Sequence, residues 1–406
     1  MREIRLSPSA INDYQSCPLR YLYSYIYGLS PDREKDSLRI GTNWGKCHEI
    51  MGLIPQGRCP ECFKREEIRE DCYLCAGTGV LPKDLMDAVV RYLNYAYENV
   101  PDSKTHEQWE VERITLLHSF SGYQWFYSDS PFEIISSEIK YDLPVVDPLT
   151  HRKIPKVRSV GRIDHIIRME NSGLYYVAER KSTSRSLTTN RYWSYLQRNV
   201  QTVSYLWAAR ICQRLGRLEN IGVKRDDPLI EGVFYDVWHK PDISPKMLSQ
   251  ADSKVFVESS KYYEEEFSVE QGINSIEDAF DENYTNDMCI NGKQIKLTPG
   301  KKKGAFSIFE TPQMFGARLL SDISERPEHY FARKEFPIAL EQLQDFELKQ
   351  SRLAKKIRLE EDKDLWICHE GSCETPFQCE FYPLCANNIK IGPNDIPEGF
   401  NKREEK

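Results

Sequence analysis

Eight of the twelve cysteines in this 406-residue chain fall into two short groups, and any fold must gather each group in one place. The first group sets Cys59-x2-Cys62 nine residues before Cys72-x2-Cys75. Two such knuckles bring four thiolates to one tetrahedral ion, the donor set of a structural Zn2+. Gly77 and Gly79 follow the second knuckle and let the backbone wrap closely around sulfur. The second group is Cys368, Cys373, Cys379 and Cys385, separated by four, five and five residues. These spacings make no paired knuckle. They suit an iron–sulfur cluster held by a wrapping loop, with zinc as the alternative. Cys212 shares an apolar helical run with Val203, Leu206, Trp207 and Ile211 and reads as a core residue. Cys47 and Cys289 stand alone.

Clustered cysteines bind metal more often than they pair where the compartment is reducing. The segment MREIRLSPSA has no apolar signal core, so a cytoplasmic location is expected. No apolar run approaches the roughly 20 residues that span a bilayer, so no membrane partner is expected. Hydrophobic residues at 40% and charged residues at 29% fit a globular protein with a sizeable core. The formal charge of −7 excludes a surface coated in positive charge, but it leaves local basic patches open.

Periodicity organises the rest. Ser7 and Pro8 suit the cap and first turn of a helix. A helix is expected around 43–51 and another over 83–99, with Leu85, Val89, Tyr92 and Ala96 on one face. Strands are expected over 136–146, 159–169 and 174–182, the last two joined by a turn at Glu170-Asn171-Ser172-Gly173. One long helix is expected from Asn190 to Leu215, ended by Gly216, and a further strand over 232–238. Segment 242–304 carries no firm pattern. Thr311-Pro312 opens another helix, and Leu343, Phe346, Leu353 and Ile357 mark a long amphipathic one. Residues from 393 onward read as a solvated tail.

The chemistry concentrates in GRIDHIIRMENSGLYYVAERKST. Glu179 and Lys181 are two apart on a strand and so face one side. If the hairpin register brings Asp164 there too, two carboxylates and an ammonium meet where apolar residues would otherwise sit. Such burial has two readings, a divalent metal centre or a buried salt bridge. Gln201 and Tyr205 lie four apart and share a helix face. Gly41-Thr42 precedes His48-Glu49; His48 is an additional metal ligand only if the fold carries it to Asp164.

The motifs in this order resemble the PD-(D/E)XK nuclease superfamily, in the iron–sulfur branch that includes RecB/AddB nuclease domains and CRISPR-adaptation exonucleases. Ser7-x-Ser9, Tyr14-x-x-Cys17-Pro18 and Tyr21 look like its N-terminal segment, which carries a first cluster cysteine. Gly41-Thr42 with His48, Gly161-Arg162-Ile163-Asp164, Glu179-Arg180-Lys181 and Gln201-x-x-x-Tyr205 look like its active-site motifs. Cys379-x5-Cys385 is similar to its closing cysteine pair. Segments 232–236 and 329–331 resemble nucleases of tailed phages.

The resemblance implies an α/β restriction-endonuclease-like core, a central mixed sheet flanked by helices, over 1–390. A zinc-binding insertion at 55–82 and a flexible tail at 391–406 complete the expected organisation. It implies Mg2+ or Mn2+ on His48, Asp164 and Glu179, with Lys181, Gln201 and Tyr205 as further catalytic residues. A 4Fe–4S cluster on Cys17, Cys373, Cys379 and Cys385 is implied, with Cys368 as the substitute ligand. The implied activity is a metal-dependent DNA nuclease, an exonuclease on single-stranded or end-processed DNA in recombination, repair or phage DNA metabolism. It would work in the (host) cytoplasm with a helicase or recombinase partner. The rivals are a catalytically silent DNA-binding scaffold and a cluster-based redox sensor. Basic residues expected beside the centre are His151, Arg152, Lys153, Lys156, Arg158, Arg180 and Arg185, and a loop at 300–304 with Phe306 and Phe309 is expected to meet a nucleic-acid strand.

Overall fold

A computed structural model of the chain describes residues 2–32, 36–271, 287–302, 305–374 and 378–403. Its centre grows from the expected hairpin. Strands β1 (Ile4–Leu6), β2 (Phe132–Asp147), β3 (Arg152–Met169), β4 (Tyr175–Thr183), β5 (Gly232–His239) and β6 (Phe331–Pro337) form one mixed sheet. The order is β1-β3-β4-β5-β6, with β2 on the other edge of β3. Gly173, at φ +69°, closes the β3–β4 turn by donating its N–H to Met169 O at 2.8 Å, a conformation that costs glycine little. β4 and β5 run parallel, and β6 returns antiparallel to β5.

Helices α1 (Pro8–Ser16), α2 (Asp36–Met51), α3 (Leu85–Ala96), α4 (His106–Phe126), α5 (Asn190–Gln197), α6 (Val200–Arg214), α7 (Pro312–Glu325) and α8 (Leu340–Lys363) cover the sheet. The Ser7 hydroxyl accepts the Ala10 N–H at 3.1 Å, as its sequence position requires of a cap. On one sheet face, α1, α6 and α8 bury Ile11, Leu206 and Ile357 against Val177, Val233 and Val237. On the other, α2, α3, α4 and α7 bury Trp44, Val89, Phe120 and Phe315 with Trp238. This is the mixed sheet between helices expected from the sequence. Among the described residues, no helix is long and apolar enough to cross a membrane.

Two expectations need correction, and one segment that carried no pattern takes shape. The single helix over 190–215 is two, because Asn199 accepts the Gln201 N–H at 2.9 Å and starts α6 afresh. The apolar spacing continues across the break and hides it. The described residues of 242–310 form a small module with a helix at Gln250–Ser259 and its own core of Phe256, Phe267, Ile290, Phe306 and Ile308. The tail expected to be flexible contains the strand Phe400–Lys402, which pairs antiparallel with Leu29–Pro31. One buried aromatic anchors it, Phe400 stacking on Phe381 at 5.4 Å.

Gly161 stands opposite Tyr141 on β2, and a Cβ there would lie 2.5 Å from the phenol oxygen. Gly161→Ala should therefore cost about 1–3 kcal/mol, read as a lowered urea midpoint; an unchanged midpoint would refute the steric requirement.

Candidate active site and metal centres

The register pairs His165 with Ala178, which puts Asp164 and Glu179 next to each other on one sheet face. Their carboxyl groups come within hydrogen-bonding range, and Asp164 also accepts the backbone N–H of Arg180. Two local features open the ladder around Asp164. Pairing of β3 to β1 stops at Ser159, and pairing to β4 starts at His165. Across the sheet, the ladder skips from Ser137↔His165 to Ile139↔Ile163, because Glu138 adopts φ +58°. A non-glycine residue in the left-handed region within a strand is a local cost of the kind that gathers at functional sites.

Lys181 extends from β4 beside the carboxylates. Its Nζ lies 2.5 Å from Glu179 Oε1 and donates to Gln201 Oε1 at 2.7 Å. Gln201 Nε2 in turn donates to the Tyr205 hydroxyl at 3.2 Å. The cap at Asn199 fixes where α6 begins, and so fixes Gln201 two residues on. Asp164, Glu179, Lys181, Gln201 and Tyr205 are thus gathered into one continuous polar chain.

Glu179 is 2% exposed, and burial pushes its carboxyl up to about 7; Lys181 opposes the rise and Asp164 adds to it. Burial likewise raises Asp164, against the pull of Lys181. Burial lowers the pKa of Lys181, but Glu179 and Asp164 outweigh it and raise it overall, so Lys181 stands as an ammonium. Glu179 Oε2 is buried and meets no hydrogen-bond donor among the described residues. An orphaned carboxylate oxygen beside a second carboxylate fits a hard divalent cation such as Mg2+ or Mn2+, which supplies the missing positive charge.

His48 is not gathered with them. Along β4, Arg180 points away from Glu179 and Lys181, and His48 lies on the Arg180 side, near His165 and Arg333. It packs edge-on against Trp44, Phe120 and Tyr123, and Trp44 stacks on Trp238 at 4.1 Å. His48, Asp164 and Glu179 are not among the His, Cys, Asp and Glu groups of the described residues that converge within 4.8 Å. The expectation of His48 as a ligand is corrected to that extent; its helix approaches the sheet from the other face. The same reverse face carries a network the sequence reading missed. Arg180 Nη1 lies 2.5 Å from His165 Nε2, whose ring contacts the Ser137 hydroxyl at 2.7 Å. Nearby, Arg333 joins Asp236 and the Tyr123 hydroxyl at 3.3 and 2.8 Å. Only strand alternation applied to Arg180 and Asp236 would have signalled it. Glu138 was also missed: burial raises its carboxyl, Arg162 opposes, and Asp164 lies close enough to add to the rise.

The four knuckle cysteines converge within 4.8 Å of one another, with Cys59 and Cys72, and Cys62 and Cys75, each 3.6 Å apart at sulfur. Tetrahedral thiolates at a 2.3 Å bond length sit about 3.8 Å apart, so the set fits a zinc-sized ion. Burial opposes a thiolate at Cys75, but the Gly79 N–H and the neighbouring sulfurs lower its pKa to about 7. Gly77 is required here: at φ +80°, its Cβ would lie 3.2 Å from Glu70 Cα. Arg91 on α3 clamps the insertion by donating to Tyr73 O and Leu74 O at 3.1 and 2.8 Å.

Cys17, Cys368, Cys373, Cys379 and Cys385 line one small cavity. Cys17 Sγ accepts the His369 N–H at 3.4 Å, and Cys368 lies 3.7 Å from Cys373 at sulfur. Five thiols therefore meet where the sequence suggested four and a substitute, and Cys368 is as well placed as Cys373. Five convergent thiols, one of them already accepting a backbone N–H, form a soft sulfur donor set suited to a thiophilic metal.

The basic residues scatter. Arg152 and Lys153 lie at the far tip of the β2–β3 hairpin, roughly 40 Å of strand from Asp164, which corrects their expected place beside it. Arg158 pairs with Asp142 at 2.5 Å, and Arg185 covers the Tyr195 ring at 5.3 Å. Phe306 is buried in the core of the 242–310 module, so it cannot stack on bases, whereas Phe309 is exposed. Lys303 and Gly304 of the expected loop lie outside the described residues.

A metal ligand must be deprotonated, and the Glu179 carboxyl is raised to about 7. Mn2+ affinity should therefore climb as pH rises through that range, by up to about tenfold per unit below it, and Glu179→Gln should flatten the climb. Titration calorimetry at several pH values reads this, and a pH-independent affinity would contradict it.

No curated protein matches the chain. A family model described as the PD-(D/E)XK nuclease superfamily matches residues 5–385. That span takes in the mixed sheet, the Asp164–Glu179–Lys181 centre and Cys385, and members of the superfamily are metal-dependent nucleases. The chain belongs to the PD-(D/E)XK nuclease superfamily.

Proposed function

We propose that the chain is a deoxyribonuclease that hydrolyses phosphodiester bonds with Mg2+ or Mn2+ held by Asp164 and Glu179. The observation that carries this reading is the unbroken chain from the two carboxylates through Lys181 to Gln201 and Tyr205. When bound, the ion supplies Lewis-acid polarisation of the phosphate and activation of a water. Lys181 is an ammonium between Glu179 and Gln201, so it serves to orient the water and stabilise negative charge developing on phosphate rather than to remove a proton. Gln201 accepts from Lys181 and donates to Tyr205, which fixes the ammonium on the carboxylate side. Burial of Glu179 keeps bulk water from screening these charges.

The finer reading is an exonuclease on single-stranded or end-processed DNA, in recombination, repair or phage DNA metabolism, working in the cytoplasm with a helicase or recombinase that delivers the strand. Its support is the likeness of the cysteine arrangement to the iron–sulfur branch of the superfamily. The same reading gives a 4Fe–4S cluster to four of the five cavity cysteines and Zn2+ to Cys59, Cys62, Cys72 and Cys75. The cluster's part is to join segments far apart in the chain, since closing so long a loop costs entropy that the metal–sulfur bonds offset.

Lys181→Ala should lower DNA cleavage about 100- to 1000-fold while leaving Mn2+ binding in place, and Asp164→Ala should remove both. End-labelled single- and double-stranded DNA reads the activity; cleavage that persists in Lys181→Ala, or in excess EDTA, sinks the nuclease reading. Anaerobically purified protein should hold about four iron and one zinc per chain. Cys368→Ser and Cys373→Ser separate the fifth thiol from the ligands, because only a ligand's loss should lower iron. Zinc without iron would remove the cluster.

A further inference from the structure

β5 ends at His239, and three residues later the chain leaves for the 242–310 module at Asp242. His329 comes to the same place from the short helix Pro327–Tyr330 that leads into β6. One ring nitrogen of each histidine and one carboxylate oxygen of Asp242 lie within 4.8 Å of one another. His239 Nε2 is 3.8 Å from Asp242 Oδ1, and His329 Nε2 is 3.5 Å from Asp242 Oδ2. The two imidazole centroids are 4.9 Å apart with ring planes at 73°, so the rings meet edge to face and do not stack.

These separations exceed ordinary hydrogen bonds. His329 Nε2 is buried and has no hydrogen-bond partner among the described residues, although it is aimed at the carboxylate. Ligand atoms around a tetrahedral zinc, at bonds of 2.0–2.2 Å, sit about 3.3–3.5 Å apart. The observed His–Asp separations match this or exceed it by a few tenths of an ångström, and Asp242 is exposed at its side chain. His239 is 3% exposed at its side chain and Asp242 is 61% exposed, so the group has a fixed floor and an open mouth. Two imidazoles and a carboxylate with a fourth position open to water form a borderline donor set, suited to Zn2+ and poorly suited to Mg2+.

We propose that His239, Asp242 and His329 form a zinc site distinct from both the Asp164–Glu179 centre and the four-cysteine knuckle. The ion ties the end of β5 to the start of β6 and to the root of the 242–310 module. Because His239 pairs with Thr183, the site holds the same sheet end from which Lys181 projects. The proposal does not rest on nuclease activity, and its test reads zinc alone.

Full-length protein, with excess Mg2+ present to occupy the carboxylate centre, would be titrated with Zn2+ and its bound zinc counted. The wild type should take up one equivalent more than either Asp242→Ala or His329→Ala. That difference should persist in a Cys62→Ser background, where the knuckle is impaired. Asp242 is exposed, so its variant folds, and circular dichroism checks both. Limited proteolysis should also cut within 240–250 faster in the variants than in the zinc-loaded wild type. Retention of the extra equivalent by either variant overturns the proposal.

Discussion

The ion pair of buried Glu179 with half-buried Lys181, beside Asp164, is the constraint around which the rest of the molecule is arranged. Taking such charges out of water costs several kcal/mol per ion unless each one is met, and one Glu179 oxygen still meets no donor. A sheet of ordinary apolar strands would not hold these groups. Here β3 interrupts its pairing at Asp164, Glu138 turns into a left-handed conformation, and α6 restarts at Asn199 so that Gln201 faces the ammonium. Each of these departs from the most favourable local structure, and all of them serve the same few ångströms. Local sequence preferences give way where chemistry needs them to.

A second constraint acts over long separations in the chain. The cavity that gathers Cys17 with Cys368, Cys373, Cys379 and Cys385 does not stand alone. The Tyr14 hydroxyl donates to Glu360 at 2.6 Å, Arg2 pairs with Glu361 at 3.0 Å, and Leu29–Pro31 pairs with Phe400–Lys402. A side-chain hydrogen bond, an ion pair and a strand pairing thus tie residues 2–31 to residues 360–402 around the thiols.

Much of this was legible in the sequence because it depends on short-range rules. The Ser7 cap, the turn at Gly173, the two CxxC knuckles and the Glu179–Lys181 alternation need only neighbours a few residues away. What was not legible depends on which face an element turns to the sheet. His48 carries a plausible motif, but its helix reaches the sheet from the Arg180 side, and no spacing rule reports that. The break between α5 and α6 was masked because one cap side chain overrides an apolar pattern that runs on. Arg152 and Lys153 are close to Asp164 in sequence only by the standards of a helix; along an extended strand the same count of residues carries them to the far tip. Phe400 shows the reverse error, since a polar composition concealed one aromatic ring able to anchor a strand.

The union of Cys17 with Cys385 also sets an order in time. The two residues are 368 positions apart, so at about 5–20 residues per second Cys17 waits roughly 20–70 s on the ribosome for its last partner. The four-cysteine knuckle, in contrast, is whole once residue 75 has emerged. The knuckle thiols can thus come together early in synthesis and help the early helices pack, whereas the cavity around Cys17 can close only after residue 385 has been made.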